Sequence, residues 1–161
     1  MTDLIEHVKR QIPPPCCVRR CRKEKCTVDL KQAPSPFVLV DLDCDRLHIE
    51  EGSRRCDFLF VSQEDKGMPG LVGVLELKGR PRASVVAAQL QAGAQFAERV
   101  LPGDVELRFR PVLFYSGGLR GAERDRIRNT SIRFRHPKKG SVLKTRVILK
   151  SCGSPLKDAL R

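Results

Sequence analysis

Gly70-Leu71-Val72-Gly73-Val74-Leu75-Glu76-Leu77-Lys78-Gly79 is the stretch that decides how this chain folds. It is apolar and β-prone up to Glu76, so it reads as a buried strand that ends in charge. Side chains alternate along a strand, which puts Glu76 and Lys78 on one side, about 7 Å apart. A second segment, Cys56-Asp57-Phe58-Leu59-Phe60-Val61, has the same apolar character and opens on Asp57. An antiparallel pairing of the two brings Asp57, Glu76 and Lys78 to one end of a sheet. Two carboxylates and an ammonium are wasteful in a core. They suit a divalent cation that activates water beside a phosphate.

The elements around this pair follow from local pattern. Residues 3–12 carry Leu4, Ile5, Val8 and Ile12 at helical spacing, and Pro13-Pro14-Pro15 ends the run. Residues 16–35, polar, basic and rich in Cys, read as a loop. Residues 37–43 predict a strand, with 46–50 as its hairpin partner and a turn at 51–53. Strands follow at 56–62 and 71–78. Val86, Leu90, Ala94, Ala97 and Leu101 predict a helix over 83–100. Residues 107–115 predict a strand, with Pro111 pointing to an edge or irregular position. Residues 122–128 suggest a charged helical turn, and 131–136 and 141–150 two basic strands about a turn at His136-Pro137-Lys138-Lys139-Gly140.

The length, 161 residues, predicts one domain. Within it, 13–36 is a Cys- and Pro-rich segment and 131–150 a basic one. Lys and Arg number 31 against 19 Asp and Glu, a formal charge of +12. A balance this basic points to a polyanion. Val105 to Arg161 holds 15 basic and 4 acidic residues, a surplus of 11, and Arg19, Arg20, Arg22, Lys23 and Lys25 form a second cluster. On the last two strands Arg133, Arg135, Lys144, Arg146 and Lys150 alternate with apolar residues. Together with Lys138 and Lys139 they predict a positive ribbon for nucleic-acid phosphates. The plainer alternative is a solvated face that discourages edge pairing. With no Trp, one Tyr and seven Phe, a surface of stacked bases is disfavoured.

No run approaches the roughly 18 apolar residues of a membrane helix, and residues 1–7 lack a secretory signal. These point to a cytoplasmic protein with no membrane partner. Its seven Cys are then expected as reduced thiols. Cys16, Cys17, Cys21 and Cys26 are enough for a structural zinc, but they lack the paired two-residue gaps of zinc ribbons, and free thiols are the preferred reading. Cys44, Cys56 and Cys152 read as small buried apolar residues. His7, His48 and His136 are scattered, and none is assigned to the site. Glu50 and Glu51 are spare carboxylates, as easily turn residues as ligands.

Asp57, then 18 residues, then Glu76-Leu77-Lys78, with strands before and a helix after, resembles the PD-(D/E)XK nuclease superfamily. The resemblance implies an α/β fold: a restriction-endonuclease-like αβββαβ core, with a mixed sheet flanked by helices. It covers residues 37–118, with Cys56 where the family often has Pro. Gln89-Leu90-Gln91-Ala92-Gly93 is similar to the Gln-x-x-x-Tyr motif of the RecB-like branch, with Gly93 in the place of Tyr. The family's helical acid would fall on Glu6. The implied activity is hydrolysis of phosphodiester bonds of DNA or RNA, with DNA the preferred partner. Asp57, Glu76 and the Leu77 carbonyl would hold Mg²⁺ or Mn²⁺, Lys78 would assist the water, and Gln89, bordering the apolar stripe, would be the amide facing the site. Gln91 falls on the polar side with Gln95 and Glu98. A nuclease-like fold that binds nucleic acid or assembles without cutting is the alternative, and a homo-oligomer is compatible with either.

Overall fold

The computed structural model describes residues 2–49 and 54–161. The expected turn at 51–53, and Glu50 and Glu51 as spare ligands, lie outside the described residues. Helix α1 (Leu4–Gln11) is capped by Asp3, whose carboxylate accepts from the Glu6 N–H at 3.1 Å. Strands β1 (Cys17–Val18), β4 (Phe37–Asp41), β5 (Phe58–Ser62), β6 (Gly70–Lys78), β7 (Leu107–Tyr115) and β10 (Ile148–Ser151) form a six-stranded sheet in the order β1-β4-β5-β6-β7-β10. Each neighbouring pair among the first four is antiparallel; β6, β7 and β10 run parallel. Helix α2 (Ala83–Val100) makes the crossover from β6 to β7. The chain is therefore a mixed α/β protein with a mixed sheet flanked by helices.

The two sheet faces bury separate cores, because β residues alternate. Val72 and Val74 of β6 join Leu4, Val8, Val86, Leu90 and Ala94 under α1 and α2. Leu75 and Leu77 join Phe58, Phe60 and Phe114 on the opposite face. That face is covered by the hairpin β2 (Cys21–Lys23)–β3 (Cys26–Val28) and by the short helix α4 (Leu156–Ala159).

Four local expectations are corrected. Residues 16–35 contain β1, β2 and β3 rather than a plain loop. Residues 46–49 form no strand, because β4 already has β1 and β5 as neighbours. Strand β7 is internal, not an edge; β10 begins opposite Val112, so Pro111 sits where β6 is the only neighbour. The run 141–150 divides at buried Val147, with β9 (Val142–Arg146) pairing antiparallel to β8 (Ser131–Arg135) and β10 joining the main sheet.

The cysteines depart furthest. Cys16 is bonded to Cys44 and Cys26 to Cys152. Cys16 and Cys26 are thus unavailable to a four-thiolate zinc site, and only Cys17, Cys21 and Cys56 are free. The expectation of seven reduced thiols fails, and with it one support for a cytoplasmic location, since cystines belong to oxidising surroundings. Among the described residues no helix is long and apolar enough to cross a membrane.

Candidate metal centre

Strands β5 and β6 pair with Phe58 opposite Leu75, so Asp57 precedes the pairing just as Glu76 follows it. Both lie at the same end of the sheet. Glu76 shares the face of Val72 and Val74 and is 0% exposed. Neither of its carboxylate oxygens has a hydrogen-bond partner. A buried acceptor without a donor costs about 1–3 kcal/mol, and more when charged. Burial first, and then the Asp57 carboxylate close by with its negative charge, push Glu76 up from 4.5 to about 10. The Lys78 ammonium lowers it but makes no ion pair within 4 Å among the described residues.

Asp57 is held by the backbone: the Leu77 N–H donates to its Oδ2 at 2.8 Å. A strand residue's N–H and C=O point to the same side, so the Leu77 carbonyl also faces the space beyond the end of β5. Two residues earlier, the Leu75 carbonyl accepts from the Cys56 thiol at 3.1 Å, on that same side. Two carboxylates and a carbonyl thus converge from one sheet end.

The fourth group comes from α2. A Cβ on Gly93 would lie 2.8 Å from the Cys56 Cβ and 3.2 Å from the Val74 Cβ, so Gly93 is where the helix touches the sheet. The contact leaves no room for a large side chain at this position. Helix α2 runs back along β6. Gln89, four residues before Gly93, is about 6 Å nearer the strand end, and Glu76 is about 6.6 Å beyond Val74. The two residues therefore lie at one level along the strand, and the Gln89 Oε1 is, like both Glu76 oxygens, buried without a donor. Three buried acceptors without donors are what a hard cation would satisfy. Among the described residues no three His, Cys, Asp or Glu side chains gather as a metal-binding group. Mg²⁺ needs only one or two carboxylates, since it keeps several waters, and the donor set here fits it.

Asp43 also raises Glu76. It lies in the loop after β4 that the Cys16–Cys44 bridge fastens, and Lys23 bonds both it and Asp41 at 3.1 Å.

The predicted ribbon is partly assembled. Arg133 pairs across from Lys144, Arg135 from Val142, and Ser131 from Arg146, so four cations share the exposed face of the β8–β9 hairpin. The opposite face is anchored by Ile132 and Phe134, whose ring stacks on Phe109 at 4.9 Å. Gln91 donates to the Arg133 carbonyl at 2.8 Å and accepts its N–H at 3.0 Å; Glu98 accepts the Arg135 N–H at 2.6 Å. The polar side of α2 thereby closes the outer edge of β8. Lys138 and Lys139 stand apart. They occupy the turn beside Gly103, Lys139 pairs with Glu106 at 2.6 Å, and the buried His136 ring holds the turn to the Val105 carbonyl. That end of β6 is about 20 Å from Glu76 along the strand. Lys150 lies on β10, opposite Phe114.

Sequence reasoning assigned no role to several cations that follow Lys78 or sit on the helix tied to α2. Arg80 and Arg82 follow Lys78, and helix α3 (Gly121–Asn129) carries Arg124, Arg126 and Arg128 behind Arg120. Glu123 of α3 accepts the first N–H of α2, from Ala83, at 2.5 Å, which ties the two helices together. The signal was present as arginines four apart in 120–128. No family model, no curated protein and no solved structure matches this chain.

Proposed function

We propose that the protein is a metal-dependent nuclease that hydrolyses phosphodiester bonds, with DNA the preferred substrate. The observation that carries this reading is the buried Glu76 carboxylate, both oxygens unpartnered, facing Asp57 and level with the equally unpartnered Gln89 oxygen. The element order α1, β4, β5, β6, α2, β7 agrees with the αβββαβ core of the PD-(D/E)XK superfamily and supports placing the chain there.

Asp57, Glu76 and the Leu77 carbonyl would hold Mg²⁺ or Mn²⁺. When bound, such an ion polarises a phosphoryl oxygen and makes water a stronger nucleophile at neutral pH. The chain's own groups do the rest. The Leu77 N–H fixes the Asp57 carboxylate in the sheet plane. Lys78, with no competing ion pair among the described residues, donates from Nζ to the attacking water or to a phosphate oxygen as charge grows there. Gln89 braces the site against α2.

The test uses labelled DNA and RNA with Mg²⁺ or Mn²⁺. Cleavage is expected, and EDTA, Asp57→Ala or Lys78→Ala should each abolish it. A rate that survives all three would remove the mechanism. One observation favours a second reading, a nuclease fold that binds without cutting: no third acid joins Asp57 and Glu76 among the described residues. That protein would bind nucleic acid with or without chelator, retain binding in Glu76→Ala and cut no substrate.

A further inference from the structure

Arg124 and Arg128 lie four residues apart on helix α3 and project from one stripe of its surface, and Arg120, at the N-cap, stands one turn before them. All are exposed, and none makes an ion pair among the described residues. Like charges at this spacing repel and destabilise a helix. The acids of α3 make no ion pair with the stripe among the described residues: Glu123 is turned to Ala83 and Arg126, and Asp125 is exposed without a partner within 4 Å.

The helix starts beside the candidate metal centre. Ser116 donates its N–H to the Lys78 carbonyl, and Arg80 lies against Gly118. It finishes where the hairpin begins. The Val147 N–H donates to the Thr130 carbonyl, and Arg146 pairs across from Ser131. The hairpin repeats the same repulsion, because Arg133 and Lys144 are direct cross-strand partners and like charges there are unfavourable. Two successive elements thus carry self-repelling cations, joined end to end.

We infer that Arg120, Arg124 and Arg128, continued by Arg146, Lys144 and Arg133, form one track for a nucleic-acid backbone leading away from Lys78. The inference rests on the nuclease reading for its direction, since that reading sets the end at which the scissile phosphate lies. The Arg120–Arg128 stripe is about 12 Å long and β8 from Ser131 to Arg133 adds about 7 Å. Together they match the rise of about five to six nucleotides of one duplex strand at about 3.4 Å each. A repeating anion of this length relieves every repulsion at once, which an isolated phosphate does not.

Binding is measured by fluorescence anisotropy with a labelled 24-mer, single-stranded or duplex, in EDTA and across a salt series. Each backbone phosphate released from contact lowers the slope of log K against log salt by about 0.7 for a single strand and about 0.9 for a duplex. Arg120→Gln/Arg124→Gln/Arg128→Gln should lower it by about 2 to 3, with affinity at 0.1 M salt falling roughly 100- to 500-fold. Arg124→Gln alone, a surface change that spares the fold, should lower it by about 0.7 to 0.9. Arg10→Gln on α1 should leave it unchanged. Whichever strand form shows the effect is the form the track carries. An unchanged slope in the α3 variants, an equal drop in Arg10→Gln, or a loss confined to binding of phosphatidylserine vesicles would overturn the inference. Glu76→Ala separates it from the nuclease reading. Metal-dependent cleavage by the wild-type chain with no slope change in the α3 variants sinks the track alone. A slope change with no cleavage by any form sinks the nuclease reading and leaves the track.

Discussion

The strand-end centre and the β8–β9 hairpin are built on opposite electrostatic faults. At the centre, acceptors are buried with no donors: both Glu76 oxygens and one of Gln89. On the hairpin, cations are exposed and face one another, Arg133 against Lys144. The first arrangement is costly until a cation arrives; the second is costly until an anion does. Helix α2 separates the two and serves both, with Gln89 toward the acids and Gln91 toward the hairpin. Each region is thus legible from what it lacks.

The comparison breaks most sharply at Lys78. Lys78→Met should lower cleavage by about 10²- to 10³-fold, the usual loss when one preorganised donor is removed. Binding in EDTA should change little, because the hairpin and α3 are untouched. A parallel loss of binding would mean that the two regions are one.

Reduction is the next largest effect. The Cys16–Cys44 bridge fastens the loop that carries Asp43 beside the centre, and the Cys26–Cys152 bridge pins β3 to the end of β10. Neither touches the hairpin. Removing a native disulfide costs about 2–5 kcal/mol, so Cys26→Ser/Cys152→Ser should lower the thermal midpoint clearly. Wild-type protein in reductant should lose cleavage before it loses binding to nucleic acid.

These bridges also show where the sequence stops being readable. The α2 helix and the β6 strand could be drawn from local pattern, because each has a long run with one period. Residues 16–35 could not. Their strands are two or three residues long and are held by cysteines whose partners, Cys44 and Cys152, lie 28 and 126 residues away. Nothing within the segment announces that. The split at Val147 was hidden for a related reason: 142–150 is β-prone throughout, with no Gly or Pro to divide it, and only the parallel pairing of β10 with β7 ends the hairpin there. Asp57, Glu76 and Lys78 were legible as a group because strand alternation fixes their side. Gln89 needed a helical count as well. The α3 arginines were visible but had no meaning until Glu123 placed them next to α2.

Glu76 sharpens the comparison through pH. Its carboxyl is raised to about 10 in the folded chain. Above 4.5 the unfolded chain has shed a proton that the folded chain keeps. Stability in EDTA should therefore fall as pH rises from the ordinary carboxylate range toward 10, and Glu76→Gln should flatten that fall. Uptake of Mg²⁺ at pH 7.5 should release a proton, detected as a calorimetric heat that varies with buffer ionisation. A wild-type slope no steeper than that of Glu76→Gln would mean that the carboxylate finds a donor.

The smallest effect is the most discriminating, because it compares two residues of one type on one helix. Gln91 makes two hydrogen bonds to the Arg133 backbone at an exposed edge. Gln91→Ala should cost about 1 kcal/mol, loosen the hairpin and leave the cleavage rate intact. Gln89 has an oxygen buried with no donor. Replacing such a group with an apolar one of similar shape is neutral or stabilising, so Gln89→Leu should hold or raise the thermal midpoint while lowering cleavage. A residue kept at a cost to stability is explained by the chemistry it serves; a residue whose loss costs stability alone is explained by the fold. If Gln89→Leu instead destabilised the protein and left cleavage unchanged, Gln89 would belong with Gln91, and the acid pair would stand at the strand end without an amide from α2.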